Sequence, residues 1–78
     1  MIDVLFFSQL QKQIGIERLE IDFANRTVKE LKEILQKDFL LQELNKVMVA
    51  VNEEFVSEDT VVNEGDTVVF FPQLIGGR

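Results

Sequence analysis

The chain has 78 residues, enough for one small domain, and it contains neither cysteine nor histidine. This composition excludes disulfides, a thiol nucleophile, a histidine general base, and zinc sites built from thiolate or imidazole ligands. The net charge is -6, and no basic residue stands between Lys46 and Arg78, so nucleic acid is a poor partner. The acidic half either only keeps the protein soluble or also steers it toward a basic partner surface, and the two interpretations are compatible.

The start of the chain and the length of its apolar runs bear on location. Met1 leads directly into a strand pattern without a basic region before it, so we expect no secretory signal. The lack of cysteine is compatible with the cytoplasmic location that we expect. No apolar run approaches the roughly 20 residues that a membrane span needs, so we expect no membrane partner.

Two strands and a short helix are predicted in the first third of the chain. Met1 to Phe7 alternates, but both of its faces are largely apolar, which is typical of a central strand. Ser8 and Gln11 have the spacing of a capping box and predict a short helix from Gln9 to Ile14. Glu17 to Phe23 alternates strictly between apolar and charged residues, which predicts a half-buried strand at or near a sheet edge.

The main helix is predicted from about Val28 to Lys37, because Thr27 and Glu30 form a second capping box at its start. An apolar stripe at helical spacing follows the cap and predicts the side that faces the sheet: Val28, Leu31, Ile34 and Leu35. The remaining positions are predicted to face solvent: Lys29, Lys32, Glu33 and Gln36. The segment from Asp38 to Leu44 is interpreted as a turn or an irregular helix.

The last third of the chain predicts three strands. Val47 to Val51 is a short apolar strand, and Asn52 to Glu54 turns it into a brief partner strand at Phe55 and Val56. Ser57 to Val62 is interpreted as a crossing segment. A tight turn in which Gly65 takes a positive φ precedes the last strand, Thr67 to Phe71.

Pro72 has no amide hydrogen to donate, so we expect strand pairing to stop there. We therefore predict a domain over residues 1–72 and a flexible C-terminal diglycine tail over residues 73–78. The fold class is α+β: a mixed four- to five-stranded sheet covered by one main helix, with the first and last strands adjacent in its middle. The predicted core between helix and sheet is Val4, Phe6, Leu19, Ile21, Val28, Leu31, Leu35, Val68 and Phe70.

Four segments in this layout resemble the sulfur-carrier family of molybdopterin synthase small subunits, within the ubiquitin-like β-grasp fold. These are the opening Ile2 to Gln9, the strand and turn Ala50 to Val56, the segment Glu64 to Pro72, and the pair Gly76 and Gly77. Two departures stand out. The family commonly has a second proline where this chain has Gln73, and it ends on the second glycine, whereas this chain continues with Arg78.

The resemblance implies a sulfur carrier that is not itself an enzyme and binds no cofactor or metal alone. In the family, an adenylating enzyme uses ATP and magnesium to convert the terminal glycine carboxylate into an acyl-adenylate. Sulfur from a donor protein then replaces AMP, which leaves a thiocarboxylate. The carrier inserts its tail into the large subunit of the synthase and gives up the sulfur for the dithiolene of molybdopterin.

The same resemblance assigns the site residues of the tail. Gly77 is the reacting residue, Gly76 and Gly77 give clearance in a narrow slot, and Leu74 and Ile75 line its mouth. Glycines without a Cβ suit such a slot, although a Gly-rich end is also an ordinary feature of chain termini. We expect the chain with Arg78 attached to be inactive as a sulfur acceptor. It is then either a precursor that loses one residue or a chain with an altered end.

A partner-binding surface is predicted on the sheet face away from the main helix, and it consists of Leu5, Phe7, Val69, Phe71 and Pro72. An exposed apolar patch flanked by charge is typical of a partner site, and the alternative is a second small core under a loop. Two other functions stay open. One is a sulfur carrier of the thiamin pathway, and the other is a ubiquitin-like protein modifier or interaction module.

Overall fold

The computed structural model describes residues 1–7, 12, 15–38 and 47–72 of the chain. Within these ranges, the structure has seven strands and one helix. In chain order they are β1 (Ile2–Phe6), β2 (Arg18–Ile21), β3 (Arg26–Thr27), α1 (Val28–Asp38), β4 (Val47–Val51), β5 (Glu54–Val56), β6 (Val61–Val62) and β7 (Thr67–Pro72).

Five of the strands form a mixed sheet in the order β2-β1-β7-β4-β5. The strands β1 and β7 pair in parallel at its centre, and the other neighbours are antiparallel. The prediction that the opening and closing strands lie side by side in the middle is confirmed, and so is the edge position of β2. Because β1 and β7 are parallel, the helix and the other strands lie in the long connection between them, as in the β-grasp fold.

The N-terminus of α1 is held by the predicted capping box. The Thr27 amide donates to Glu30 Oε1 at 3.1 Å, and the Glu30 amide donates to Thr27 Oγ1 at 3.2 Å. The two amides between them donate to carbonyls of the segment before β6. The Val28 amide donates to the Thr60 carbonyl at 2.9 Å, and the Lys29 amide donates to the Glu58 carbonyl at 3.0 Å. The first turn of the helix therefore has partners for amides that a helix end leaves unpaired.

The core lies between α1 and the sheet. Of the nine core residues that the sequence predicted, seven are buried: Val4, Phe6, Val28, Leu31, Leu35, Val68 and Phe70. The other two, Leu19 and Ile21, are partly buried and pack against this cluster from the edge strand. The rings of Phe6 and Phe70 stack at 5.7 Å between centroids, across the parallel pair β1–β7. The prediction omitted further members of the cluster, which are Ile2, Phe23, Val49, Val51 and Val62.

The prediction that Lys32 faces solvent is wrong. Lys32 is only 5% exposed, and its Nζ donates to Glu58 Oε2 at 2.9 Å. The helix covers the sheet with a wider face than the apolar stripe alone, and the methylene stem of lysine lies along that face while the ammonium reaches a carboxylate on the neighbouring segment. The segment predicted as a crossing connection contains β6, which pairs with β3 in a separate two-stranded ribbon.

The prediction that pairing stops at Pro72 is also wrong, because Pro72 pairs with Val47 on β4. The Phe70 carbonyl accepts a hydrogen bond from the Phe7 amide at 3.1 Å, so the main-chain groups of Phe70 face β1. Residues two apart in a strand face the same way, and the nitrogen of Pro72 therefore also faces β1. The missing amide hydrogen therefore lies on the side of β1 and removes no hydrogen bond from the ladder with β4.

Three predictions fall wholly or largely on residues outside the described ranges. These are the short helix from Gln9 to Ile14, of which only Lys12 is described, the segment after Asp38, and the tail 73–78. The turn before β7 is described, and Gly65 has the expected positive φ of 85°. Within the described ranges, no helix is long and apolar enough to cross a membrane.

Candidate functional site

The sheet face opposite α1, here called the open face, has no helix on it within the described part of the chain. Side chains alternate along a strand, so the neighbours of the buried Val4 and Val68 point to this face. The four residues predicted there lie on it as expected: Leu5, Phe7, Val69 and Phe71. Three of them are half-buried by their neighbours, whereas Phe7 is 55% exposed.

Phe71 is the centre of an aromatic row on the open face. Its ring lies 5.0 Å from that of Phe7, with an angle of 48° between the ring planes, and 5.5 Å from that of Phe55, with an angle of 52°. Tilted pairs at these distances stabilise each other beyond simple burial. The three rings belong to β5, β7 and the residue after β1, so the row spans most of the sheet.

Sequence reasoning missed two members of this surface, Met48 and Phe55. Met48 pairs with Phe71, and Phe55 pairs with Ala50, which places both side chains on the open face. They are 41% and 65% exposed. Along β4, Met48 and Ala50 alternate with three valines, so the sequence already indicated that these two side chains face the side opposite to the valines. We call the whole surface the apolar patch: Leu5, Phe7, Met48, Phe55, Val69 and Phe71.

Charged side chains border the apolar patch at the edges of the sheet. On the β2 edge, Arg18 pairs with Asp3 at 3.1 Å and lies 3.7 Å from Glu20. On the other edge, Glu53 is exposed in the turn between β4 and β5. Exposed ion pairs of this kind contribute at most about 1 kcal/mol to stability, so these charges matter more for the choice of partner than for the fold.

A polar network fixes the register of β4 and β7 at the end of the sheet farthest from Pro72. Asn52 donates through Nδ2 to Asp66 Oδ1 at 2.9 Å, and its Oδ1 accepts from the Thr67 amide at 3.1 Å. The Asn52 amide also donates to the Thr67 carbonyl at 2.9 Å. Because a slip of one residue would turn every side chain of β7 to the other face, this network also keeps Phe71 on the open face.

Two carboxyl groups of the described residues have perturbed pKa values, and both lie away from the open face. The Thr27 amide, and after it Arg26, lowers the pKa of Glu30 below its usual value. The hydrogen bond from Lys32, with the charge of that lysine, lowers the pKa of Glu58. Both groups cap or tie the main helix, which is a structural role. Among the described residues, no cluster of acidic side chains has the arrangement of a metal site.

The residues predicted to react lie outside the described ranges: Leu74, Ile75, Gly76 and Gly77. The structure does place the start of that segment. The strand β7 ends at Pro72, directly after Phe71 in the apolar patch, and is still paired with β4 there. The side chain of Pro72 is not among those described, so its predicted contact with a partner stays a prediction.

Known proteins match nearly the whole chain in sequence and in fold. The model of the ThiS family matches residues 4–77. The "Molybdopterin synthase sulfur carrier subunit" of Escherichia coli (strain K12) is 38% identical over 81 residues, which cover 99% of this chain and 100% of that protein.

Two solved structures have the same fold. A "Putative molybdopterin converting factor, subunit 1" from Pyrococcus furiosus superposes with a TM-score of 0.74 at 26% identity, over 94% of this chain and 97% of that one. A chain of the complex of subunits 1 and 2 of "Molybdopterin-converting factor" from Helicobacter pylori superposes with a TM-score of 0.68 at 29% identity, over 97% of each chain. Matches of this extent in sequence and fold leave one conclusion: the chain belongs to the ThiS family.

Proposed function

We propose that this chain is the sulfur-carrier subunit of a molybdopterin synthase and that it works by presenting Gly77 to two partner proteins in turn. The observation that carries the proposal is the apolar patch. It includes residues of β7, the strand that precedes the diglycine in the chain. Full-length relatives at 32% and 38% identity bear the name of such a carrier, which supports the assignment. The Helicobacter pylori structure pairs its carrier-like subunit with a second subunit, which supports a large-subunit partner.

The apolar patch is the proposed docking surface for the large subunit. Three of its side chains, Phe7, Met48 and Phe55, are large, apolar and substantially exposed. Exposed apolar clusters of this kind on a small domain are typical of partner sites, and aromatic residues carry much of the binding energy at such interfaces. A partner that covers the patch also holds the root of the tail at Pro72.

The chemistry belongs to the carboxylate of Gly77. A carboxylate is a poor electrophile, and adenylation by ATP gives its carbonyl carbon a good leaving group. Hydrosulfide delivered by the donor protein then attacks this carbon, the bond to AMP breaks as the carbon–sulfur bond forms, and after loss of the hydrosulfide proton the product is a thiocarboxylate. Gly76 and Gly77 carry no Cβ, so the backbone passes through a slot that larger residues would block.

The catalytic groups for these steps come from the partners in this proposal. The chain has no cysteine or histidine to act as nucleophile or base. The two carboxyl groups with lowered pKa values, Glu30 and Glu58, hold the main helix in place. ATP and magnesium are used by the adenylating enzyme, which works in the cytoplasm, where we place the carrier. Arg78 occupies the carboxyl group of Gly77 in a peptide bond, so activation requires a chain that ends at Gly77.

The test is the intact mass of a chain ending at Gly77 after incubation with its adenylating enzyme, ATP, magnesium and a sulfur donor. The proposal predicts a gain equal to the difference between sulfur and oxygen. Isopeptide-linked adducts would instead identify a ubiquitin-like modifier. If the thiocarboxylated chain binds and co-purifies with a thiazole synthase, rather than with the large subunit of molybdopterin synthase, it belongs to the thiamin pathway.

A further inference from the structure

The oxidation chemistry of this chain is concentrated in two side chains. The sequence has no cysteine, histidine, tryptophan or tyrosine, and its only sulfur atoms are the thioethers of Met1 and Met48. A peroxide oxidises a thioether to a sulfoxide, which turns a flexible apolar side chain into a polar one. The sites at which a peroxide is expected to modify the chain are therefore these two methionines.

Of the two methionines, only Met48 lies in the apolar patch. Met48 is 41% exposed on the open face, and it pairs between β4 and β7 with Phe71, the centre of the aromatic row. Met1 is 51% exposed at the end of the sheet where β7 begins, and its ammonium pairs with Glu64. Both methionines are thus open to a small oxidant, but only one of them belongs to the proposed docking surface.

We propose that Met48 is an oxidation site through which a peroxide lowers the affinity of the carrier for its large subunit. The inference rests on the proposed function, because the apolar patch is the docking surface assigned there. In this step a lone pair of the Met48 sulfur attacks one oxygen of hydrogen peroxide, so the sulfur–oxygen bond forms as the oxygen–oxygen bond breaks. The sulfur loses two electrons, and the second oxygen leaves as water. The step takes place on the free carrier, in which this side chain faces solvent.

The effect on binding comes from desolvation of the sulfoxide. The other five members of the apolar patch have no polar atom in their side chains: Leu5, Phe7, Phe55, Val69 and Phe71. Once a partner excludes water, the sulfoxide oxygen finds no hydrogen-bond donor among these side chains. Burying a polar group without a hydrogen bond is costly, so the affinity should fall about tenfold or more. In the free carrier the oxygen stays hydrated, and the melting temperature should change little.

The test compares each carrier with its own oxidised form. The parent chain and Met48→Leu are treated with hydrogen peroxide, the peroxide is removed, and the affinity for untreated large subunit is measured by calorimetric titration. Met48→Leu keeps an apolar side chain and can be oxidised only at Met1. Because each chain is compared with its own untreated form, any effect of the leucine itself on docking cancels. A gained oxygen has nearly the same mass as the exchange of oxygen for sulfur, so fragmentation assigns the oxygen to Met48.

We expect the parent chain to gain two oxygens and to lose affinity about tenfold or more, whereas Met48→Leu should gain one oxygen and stay within about twofold of its untreated form. Methionine sulfoxide reductases with a thiol reductant should restore the affinity of the oxidised parent, since the oxygen leaves as water while two thiols form a disulfide.

Three results would contradict the inference. A parent chain that carries the oxygen on Met48 and still binds within about twofold of its untreated form would overturn it and leave the proposed function standing. An equal loss of affinity in oxidised Met48→Leu would also overturn it, because the effect would then come from Met1. A parent chain that does not bind the large subunit before oxidation would overturn the proposed function as well.

A matched pair of variants tests the same position without an oxidant. Met48→Gln places a polar oxygen on a side chain of similar length, so it should weaken binding about tenfold at an unchanged melting temperature. The control Val61→Gln makes a similar change outside the patch, at a residue of β6 that is 48% exposed, and it should bind within about twofold of the parent chain. A Met48→Gln variant that binds as tightly as Val61→Gln would show that the docking surface tolerates a polar group at Met48, and the inference would fail.

Discussion

Removing the carboxylate of Glu58 should destabilise the fold, because it leaves the ammonium of Lys32 buried without its partner. Lys32 is 5% exposed, and its Nζ lies 2.9 Å from Glu58 Oε2. The side chain of Glu58 is itself 49% exposed, so the pair is half in water. Exposed pairs contribute about 0–1 kcal/mol, and breaking fully buried pairs costs about 3–5 kcal/mol. For Glu58→Gln we expect a loss between these limits, about 1–2 kcal/mol.

The loss should depend on pH with a definite sign. The pKa of Glu58 is lowered in the folded protein from its usual 4.5 by the hydrogen bond and charge of Lys32. A carboxyl group whose pKa is lowered by folding stabilises the protein above its unfolded pKa, and this stabilisation is lost as the pH falls through the folded pKa. The difference between the parent chain and Glu58→Gln should be full at neutral pH and should shrink below pH 4.5. Glu30, whose pKa is also lowered, is present in both proteins and cancels in the difference.

Urea denaturation at neutral and acidic pH measures both effects. Glu54→Gln is a matched control, because it removes the same charge from an exposed position on the β5 edge. It should change the free energy of unfolding by less than about 0.5 kcal/mol. Lys32→Met should cost less than Glu58→Gln, since it removes the buried charge and keeps an apolar chain of similar length. A Glu58→Gln variant as stable as the Glu54→Gln control at neutral pH would refute the reasoning.

Three further predictions follow from the fold and the open face. Leu31→Ala should lower the free energy of unfolding by about 2–5 kcal/mol, because Leu31 is fully buried between helix and sheet, and a loss below about 1 kcal/mol in urea denaturation would contradict its place in the core. Phe7→Ala and Phe71→Ala should each weaken binding to the large subunit about tenfold in calorimetric titration. Phe71→Ala should also lower the melting temperature more than Phe7→Ala does, because the Phe71 ring is half-buried and packs on the rings of both Phe7 and Phe55. Unaltered affinity in both would exclude the apolar patch as the docking surface. Glu53→Gly should raise the free energy of unfolding by about 0.5–1 kcal/mol, because Glu53 has a φ of 73°, a region that glycine enters without a steric penalty. An unchanged or lowered free energy of unfolding in urea denaturation would contradict this.

Local patterns were enough to predict most of the fold. The alternation of β1 and β7 identified their buried faces, and the Thr27–Glu30 spacing identified the start of the helix. Both signals arise from residues close in sequence whose physical requirements are satisfied locally. Their agreement with the resemblance made the five-stranded sheet and its central pair predictable.

The errors concern features that depend on distant partners. The burial of Lys32 depends on a carboxylate 26 residues away, and no helical period reveals that pairing. Pairing through Pro72 depends on which neighbouring strand its nitrogen faces, and that is settled only by the register with β1. Phe55 belongs to the apolar patch through its register with β4, whereas the alternation of β4 alone was enough to place Met48 on that face. In each case the sequence contains the residue, but the contact exists only after the sheet has formed.

The most direct test of the proposed sulfur carrier is the intact mass of two chains after incubation with the adenylating enzyme, ATP, magnesium and a sulfur donor. One chain ends at Gly77, and the other keeps Arg78. We predict that the first gains the mass difference between sulfur and oxygen and that the second is unchanged, because its Gly77 carboxyl is held in a peptide bond. A thiocarboxylate or acyl-adenylate on the chain that still carries Arg78, or an unmodified chain ending at Gly77, would contradict the account.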